Sequence, residues 1–397
     1  MPLAVCARMK AILGAGAIAA VLSHIAACSQ SQSDATSIEN GGSDESADDV
    51  PAKKKKPSKD AGNNSCTPAS LHVSASPIKL VPSRDHHVTL IRETAGAAYL
   101  TVLGGEQNDF STIYDDVQRA KINEDGTIQP FTSAGKLDTP LAGAALAVHG
   151  DYVVLIGGVI KTTRAQIVAK TYVGHFAEDG TIDTWFPGPD LPTAVMHSAA
   201  VVVGDTIYAF GGTTGSAATK LAVRATISSD GKMTEWANVT SLNPGRSHQA
   251  AFLENGYIYV AGGLEGNPQQ NPASVDSVVR AKVADDGSLG AWENAGALAE
   301  GISVSSIEKK GCAFYTFGGQ VNGSSVPFSA AIFRGYVDST GSFQPLANDE
   351  ASLSIERGHV HQTPTYKDHM YSVGGRTNDT SSGTWGTTGQ VDIGTFQ

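Results

Sequence analysis

Motifs for chemistry are what this chain lacks. Its 397 residues hold no Gly-x-Ser-x-Gly elbow, no helical zinc-protease motif and no phosphate-binding loop. No residue therefore presents itself as catalytic, and no cofactor is implied. Basic charge is also short: 28 Lys and Arg stand against 39 Asp and Glu, a balance that disfavours nucleic acid as a partner. Helical periodicity is scarce beyond residue 66, and past the first 27 residues no stretch is apolar enough to span a bilayer. Cysteine is limited to Cys6, Cys28, Cys66 and Cys312.

The first 65 residues read as an address and a spacer. Arg8 and Lys10 precede an apolar stretch over residues 11–22, too short for a permanent membrane span, so residues 1–27 read as a cleaved secretory signal. That signal ends Ile25-Ala26-Ala27-Cys28, which resembles the bacterial lipobox. The resemblance implies that Cys28 becomes the lipidated first residue of a mature lipoprotein anchored in the cell envelope. Ser29 in the next position favours onward export to an outer membrane. Residues 28–65 are rich in Ser, Asp, Asn and Lys and poor in large apolar groups, so they should form a disordered tether reaching on the order of 30 to 36 Å. Its basic run over residues 53–56 reads as solvated spacer or as a contact with an anionic surface.

From residue 66 onward a phrase repeats. An apolar run ending in Gly-Gly recurs at Gly104-Gly105, Gly157-Gly158, Gly211-Gly212, Gly262-Gly263, Gly318-Gly319 and Gly374-Gly375, at intervals of 51 to 56 residues. A fixed period of this size marks stacked supersecondary units. After the first four pairs come Asp125-Gly126, Asp179-Gly180, Asp230-Gly231 and Asp286-Gly287, with Thr340-Gly341 fifth; these predict hairpins closed by two-residue primed turns. Five residues on stand Phe131, Trp185, Trp236, Trp292 and Leu346, at one place in each outer strand. Before four of the turns stand Arg119, Arg224, Arg280 and Arg334, each followed by a small residue. Runs such as 199–203 and 206–210 read as buried strands, so each unit holds four strands.

Six such units predict an all-β, six-bladed β-propeller. The Gly-Gly pairs, Asp-Gly turns and later tryptophans resemble kelch repeats over about residues 66–397. The last unit ends at Phe396 without an outer strand. Aligning residues 79–86 with 241–248 leaves roughly residues 68–78 free to pair with 390–396, so an N-terminal strand should close the last blade. An exported compartment permits a disulfide between Cys66 and Cys312; two unpaired thiols are the alternative.

One polar register recurs inside this frame. Leu, five residues, then His appears as Leu80/His86, Leu191/His197, Leu242/His248 and Leu353/His359, with Arg84, Arg246 and Arg357 two residues before three of the histidines. Gly143 and Val304 hold the same register in the other two units. If the first strands line the channel, these groups form a partial basic ring near one mouth, joined by His361 or His87 and suited to an anionic sugar or carboxylate. The plain alternative is that they hydrogen-bond the neighbouring blade's backbone. A metal needs three or four converging ligands; the histidines, split between units six and one and units three and four, suit two opposed clusters better, so no metal is expected. Loops after the glycine pairs, including Trp385, should carry specificity, with Trp385 either stacking on a sugar or anchoring its loop.

The expected function is a membrane-anchored binding or scaffold module for a protein or glycan, monomeric and on the bacterial envelope. The resemblance implies a competitor, an exported carbohydrate-active enzyme of the N-acetylneuraminate epimerase (mutarotase) type. The oxidase chemistry of galactose oxidase would need a Tyr-Cys crosslink beside copper, and neither Cys66 nor Cys312 is placed for it.

Overall fold

The computed structural model describes residues 66–267, 273–321, 327–348 and 351–397. The expected signal over residues 1–27, the expected lipidation at Cys28 and the expected tether over 28–65 lie outside the described residues. Within them no helix is long and apolar enough to cross a membrane, and every regular element is a strand.

The main strands fall into six four-stranded antiparallel sheets. The first runs Val88–Thr94, Ala97–Leu103, Asp116–Ile122, Thr132–Lys136, and the second Ala145–His149, Tyr152–Ile156, Thr171–Phe176, Ile182–Pro187. The third is Ala199–Val203, Thr206–Phe210, Ala222–Thr226, Ala237–Asn238, and the fourth Ala250–Glu254, Tyr257–Ala261, Ser277–Lys282, Glu293–Ala297. The fifth, Ser306–Lys310, Ala313–Val321, Phe328–Val337, Phe343–Leu346, touches the fourth through one parallel bridge, Gly296 to Phe343. The sixth takes Thr365–Tyr366, His369–Val373 and Val391–Phe396, then gains Leu71–Ala75 from the other end of the chain, with Leu71 opposite Phe396 and Ala75 opposite Asp392. Closure by an N-terminal strand is thus realised as a five-residue pairing.

Six apolar cores lie between consecutive sheets rather than inside one large centre. Each second strand is sandwiched between neighbours, so Ile207, Tyr208, Ala209 and Phe210 are all buried. This explains continuous apolar runs in place of strand alternation. The innermost strand behaves differently. Ala199–Val203 buries only Val201 fully, because it lies at the inner edge of its sheet with a sheet neighbour on one side only; the expected full burial does not extend to it.

Each repeated mark in the sequence has a physical cause at a joint between sheets. The glycine pairs take positive φ at both positions, 57° and 102° at Gly104 and Gly105, a conformation costly for residues with a Cβ. A Cβ on Gly104 would also strike the Leu141 carbonyl oxygen of the next unit, and the Gly105 amide donates to that same oxygen at 2.9 Å. Gly158, Gly212, Gly263 and Gly375 make the corresponding bond to Val195, Arg246, Ile302 and Arg84. The Asp-Gly turns are not primed two-residue turns. Gly126 donates to the Asn123 carbonyl and Asn123 to Thr127, with only the glycine at positive φ, which is a three-residue loop ending in a left-handed glycine. The aspartate serves by accepting from the residue two places on, as Asp125 does from the Thr127 amide at 3.0 Å.

Arginines of one sheet clamp the turn of the next. Arg119 donates to the Asp179 carbonyl at 2.5 Å, Arg280 to Thr340 at 2.9 Å and Arg224 to Asp286. Tyrosines add to the clamp: Tyr208, Tyr259 and Tyr371 donate to Gly287, Gly341 and Gly126. Trp185 and Leu346 lie within outer strands, whereas Phe131, Trp236 and Trp292 stand one residue before theirs. The Trp236 indole reaches Thr171 and Pro189 of the preceding unit, and Trp292 reaches Thr240. Cys66 and Cys312 form a disulfide that ties the start of the described chain to a hairpin turn of the fifth sheet.

Candidate functional site

The register flagged by the histidines forms a closed ring at the axis. The Gly143 amide donates to the His86 carbonyl, His197 to Gly143, His248 to His197, Val304 to His248, His359 to Val304, and His86 back to His359, at 2.8 to 3.3 Å. All six residues hold φ between 52° and 64°. Left-handed backbone at a valine is a strained choice, so the ring itself, and not the side chain, sets the conformation at Val304.

Four of the six positions project imidazoles into one cluster. His86 stacks on His197 with centroids 4.5 Å apart, His197 lies 3.9 Å from His248, and His359 meets His86 edge-on at 4.1 Å. His361, two residues along from the ring, stacks on His197 at 5.4 Å. The expectation of two opposed histidine clusters is therefore corrected. The ring is narrow enough that groups from opposite sheets meet at its centre. His87 is buried apart from the stack, lying against the glycine pairs at Gly105 and Gly374.

The arginines stand elsewhere. Arg84, Arg246 and Arg357 are fully buried and bond within their own sheets. Arg84 donates to the Gly104 carbonyl at 3.0 Å and pairs with Asp116, while Arg246 donates to the Ser277 carbonyl at 2.8 Å. Arg357 donates to Gln390 and pairs with Asp392 at 2.8 Å, both partners wholly buried. Their charge is spent inside the sheets, and they supply no basic ring at the mouth. Their guanidinium partners lie in their own sheets, whereas their backbones do meet the neighbouring blade, Arg84 and Arg246 accepting from Gly375 and Gly212 and the Arg246 amide donating to Thr219. Burial pulls Arg357 down to about 10, with Asp392 opposing.

Electrostatics divide the cluster in two. Burial, and then the neighbouring cations, hold His197, His248 and His359 far below the ordinary imidazole range, and burial takes His361 down to about 3. Their surroundings favour the neutral ring. His86 is raised: burial lowers it, but the Asp85 carboxylate more than compensates. His86 Nδ1 lies 3.0 Å from Asp85 Oδ1 and 3.3 Å from Glu106 Oε1, while its Nε2 meets His359 Nδ1. Arg376 reaches Asp85 and Glu106, the latter at 2.6 Å, and Asp109 at 3.3 Å. Against the cost of burial, Arg376 holds Asp85 well below the carboxylate range, whereas burial beside Asp85 pushes Glu106 up.

Asp85, Glu106 and Arg376 were not singled out by sequence reasoning, yet the repeat contained the signal. Directly after the glycine pairs stand Glu106, Val159, Thr213, Leu264, Gln320 and Arg376. Only the units meeting at the closure of the ring carry charge there, and the two charges are opposite.

Around this axis the loops after the glycine pairs form a collar. Gln107 and Ser83 reach Thr387 at 3.4 and 3.0 Å; Ala218 donates to Gly266; Phe328 and Asn378 exchange two bonds of 3.0 Å; Ser274 bonds Ser303. Trp385 is half-buried, packed edge-on against Phe328 at 5.5 Å, and Phe328 in turn meets His359 at 5.6 Å.

No family model matches the chain. Among curated proteins it resembles the Kelch repeat and BTB domain-containing protein 1 of Cowpox virus strain Brighton Red, 22% identical over 179 residues, or 45% of this chain and 30% of the relative. The protein of the same name from Ectromelia virus strain Moscow is 25% identical over 174 residues, 44% of this chain and 28% of that one. The chain thus spans less than a third of these relatives' length. Among solved structures, that of YjhT superposes with a TM-score of 0.58 at 13% identity, covering 81% of this chain and 99% of that one. Sheet order, the axial ring and these likenesses together make the described part of the chain a kelch-like β-propeller.

Proposed function

We propose that this chain is a bacterial envelope lipoprotein, held to the outer membrane through Cys28, whose propeller acts as a monomeric binding module for a protein or glycan. The observation that carries the reading is the collar: loops of neighbouring units are cross-bonded around the axis, giving a preorganised rim. The tether supplies reach from the membrane, and the disulfide suits an exported compartment.

The test uses the full chain in intact cells, with photo-crosslinking alongside a glycan array. A partner or sugar captured by the native chain and lost on placing arginine at the exposed collar positions Thr112 and Ser216 supports the module. Equal capture by these variants overturns the collar as the binding face. Cys28→Ser should release the chain from the membrane fraction; retention would remove the lipid anchor from the proposal.

A second reading, a sugar mutarotase of the N-acetylneuraminate epimerase type, draws on Asp85 and Glu106, two carboxylates pushed in opposite directions beside His86. Proton NMR of reducing sugars separates the two: turnover without stable capture favours the enzyme.

A further inference from the structure

The ring brings together more imidazole than a packed core needs. Buried His197 finds no hydrogen-bond partner for either ring nitrogen among the described residues, and His361 finds none for Nε2. Burying such atoms unpaired is unfavourable. Ligand nitrogens of His86, His197 and His361 lie within 4.8 Å of one another.

We propose that these three histidines bind one first-row transition-metal dication of the zinc class at the propeller axis. Three observations fix the assignment. The first is donor type: an all-imidazole set suits zinc, cobalt, nickel or copper, and disfavours magnesium and calcium, which take oxygen. The second is the outer shell. His86 Nδ1 faces Asp85 and Glu106, the carboxylate–histidine arrangement that orients a ligating ring and leaves Nε2 for the metal. His86 Nε2 now bonds His359 Nδ1; the metal takes the place of that bond. The third is preorganisation. The Cα positions of His86 and His197 are held by the closed hydrogen-bonded ring, so the adjustment to metal–nitrogen bonds of about 2.0–2.1 Å falls on the side chains.

Charge is accommodated as well. Asp85, Glu106 and Asp109 face Arg376 across the seam, so the carboxylates outnumber the fixed cation beside the site. Three imidazoles leave a fourth position open to an exogenous ligand, on the side of half-buried His361. The inference stands independently of the collar, since metal binding and partner capture are read by different measurements.

Full-length chain, stripped with chelator and titrated with Co²⁺, should develop the visible absorption of a low-coordinate cobalt centre at one equivalent, and Zn²⁺ should displace it with the same stoichiometry by calorimetry. His197→Asn keeps a residue tolerant of positive φ at the ring, and His361→Gln lies outside the ring altogether. Each should weaken Zn²⁺ binding beyond the about 10–100-fold typical of losing an outer-shell partner, while His175→Gln on an outer surface leaves it unchanged. Circular dichroism of the two ligand variants verifies that they fold. No stoichiometric binding by the native chain, or affinity unchanged in folded His361→Gln, overturns the proposal.

Discussion

The rim and the axis of this propeller are built from the same repeat and use polar groups in opposite ways. At the rim the turn groups are answered by the neighbouring sheet: the turn carbonyls of Asp179 and Thr340 accept from Arg119 and Arg280, and Tyr208 reaches Gly287. At the axis the backbone is equally well satisfied, because six amides and six carbonyls close on themselves. Its side chains are satisfied only in part: His197 is buried with no hydrogen-bond partner for either ring nitrogen among the described residues. A rim group left unpaired would only cost stability, whereas the axis retains such groups at its centre. The comparison separates what holds the ring from what the ring holds.

The sharpest way to break it is at the closure. Removing residues 390–397 deletes Val391–Phe396, which pairs on one side with His369–Val373 and on the other with Leu71–Ala75. Thermal unfolding by circular dichroism should lose its single cooperative transition, and an unchanged melt would show that the ring does not depend on its two ends. Next in size, Arg357→Ala strands Asp392 in a wholly buried site. That should cost about 3–5 kcal/mol in denaturant unfolding, far more than any exposed ion pair of the rim.

The innermost strand of the fifth sheet offers a pH test. Burial pushes Glu308 up to about 8, so the folded chain binds that proton more tightly than the unfolded chain does. The stability it gives is complete below the ordinary glutamate range and is lost as pH rises through about 8. Melting temperature should fall between pH 5 and pH 9, and Glu308→Gln should flatten that slope. Smaller effects sharpen the contrast between regions. Tyr208→Phe removes one answered hydroxyl and should cost about 0.5–1.5 kcal/mol. His197→Asn should cost less than about 1 kcal/mol, since its ring nitrogens have no hydrogen-bond partner among the described residues; a larger penalty would make the axial histidines structural after all.

Much of this architecture was legible because its joints need rare residues. Six glycine pairs announce six places where a second strand hands over to its neighbour, since no Cβ fits beneath the Leu141 carbonyl. The register Arg84, His86 and its copies is visible for a similar reason, and its backbones do bond the neighbouring blade, but the direction of its arginine side chains is not visible. Arginine at that position looks like a charge offered to the channel, but its guanidinium turns back to the carbonyls of its own sheet, a choice made by partners such as Asp116 and Asp392 far along the chain. The turn type was missed because Asp-Gly fits both a primed turn and a left-handed glycine closing a three-residue loop, and only the hydrogen bonds distinguish them.

The amino-acid sequence by itself determined the repeat, the four strands of each unit, the pairing of a strand near residue 71 with the last strand, and the ring register of His86, His197, His248 and His359. These follow from local sterics and periodic burial, which one chain carries in its own order. Only the tertiary structure decided that His86, His197, His248, His359 and His361 meet, and that Asp85, Glu106 and Arg376 stand behind them. That convergence depends on how tightly six sheets close about an axis, a distance set by the sum of all their interfaces and written in no single unit.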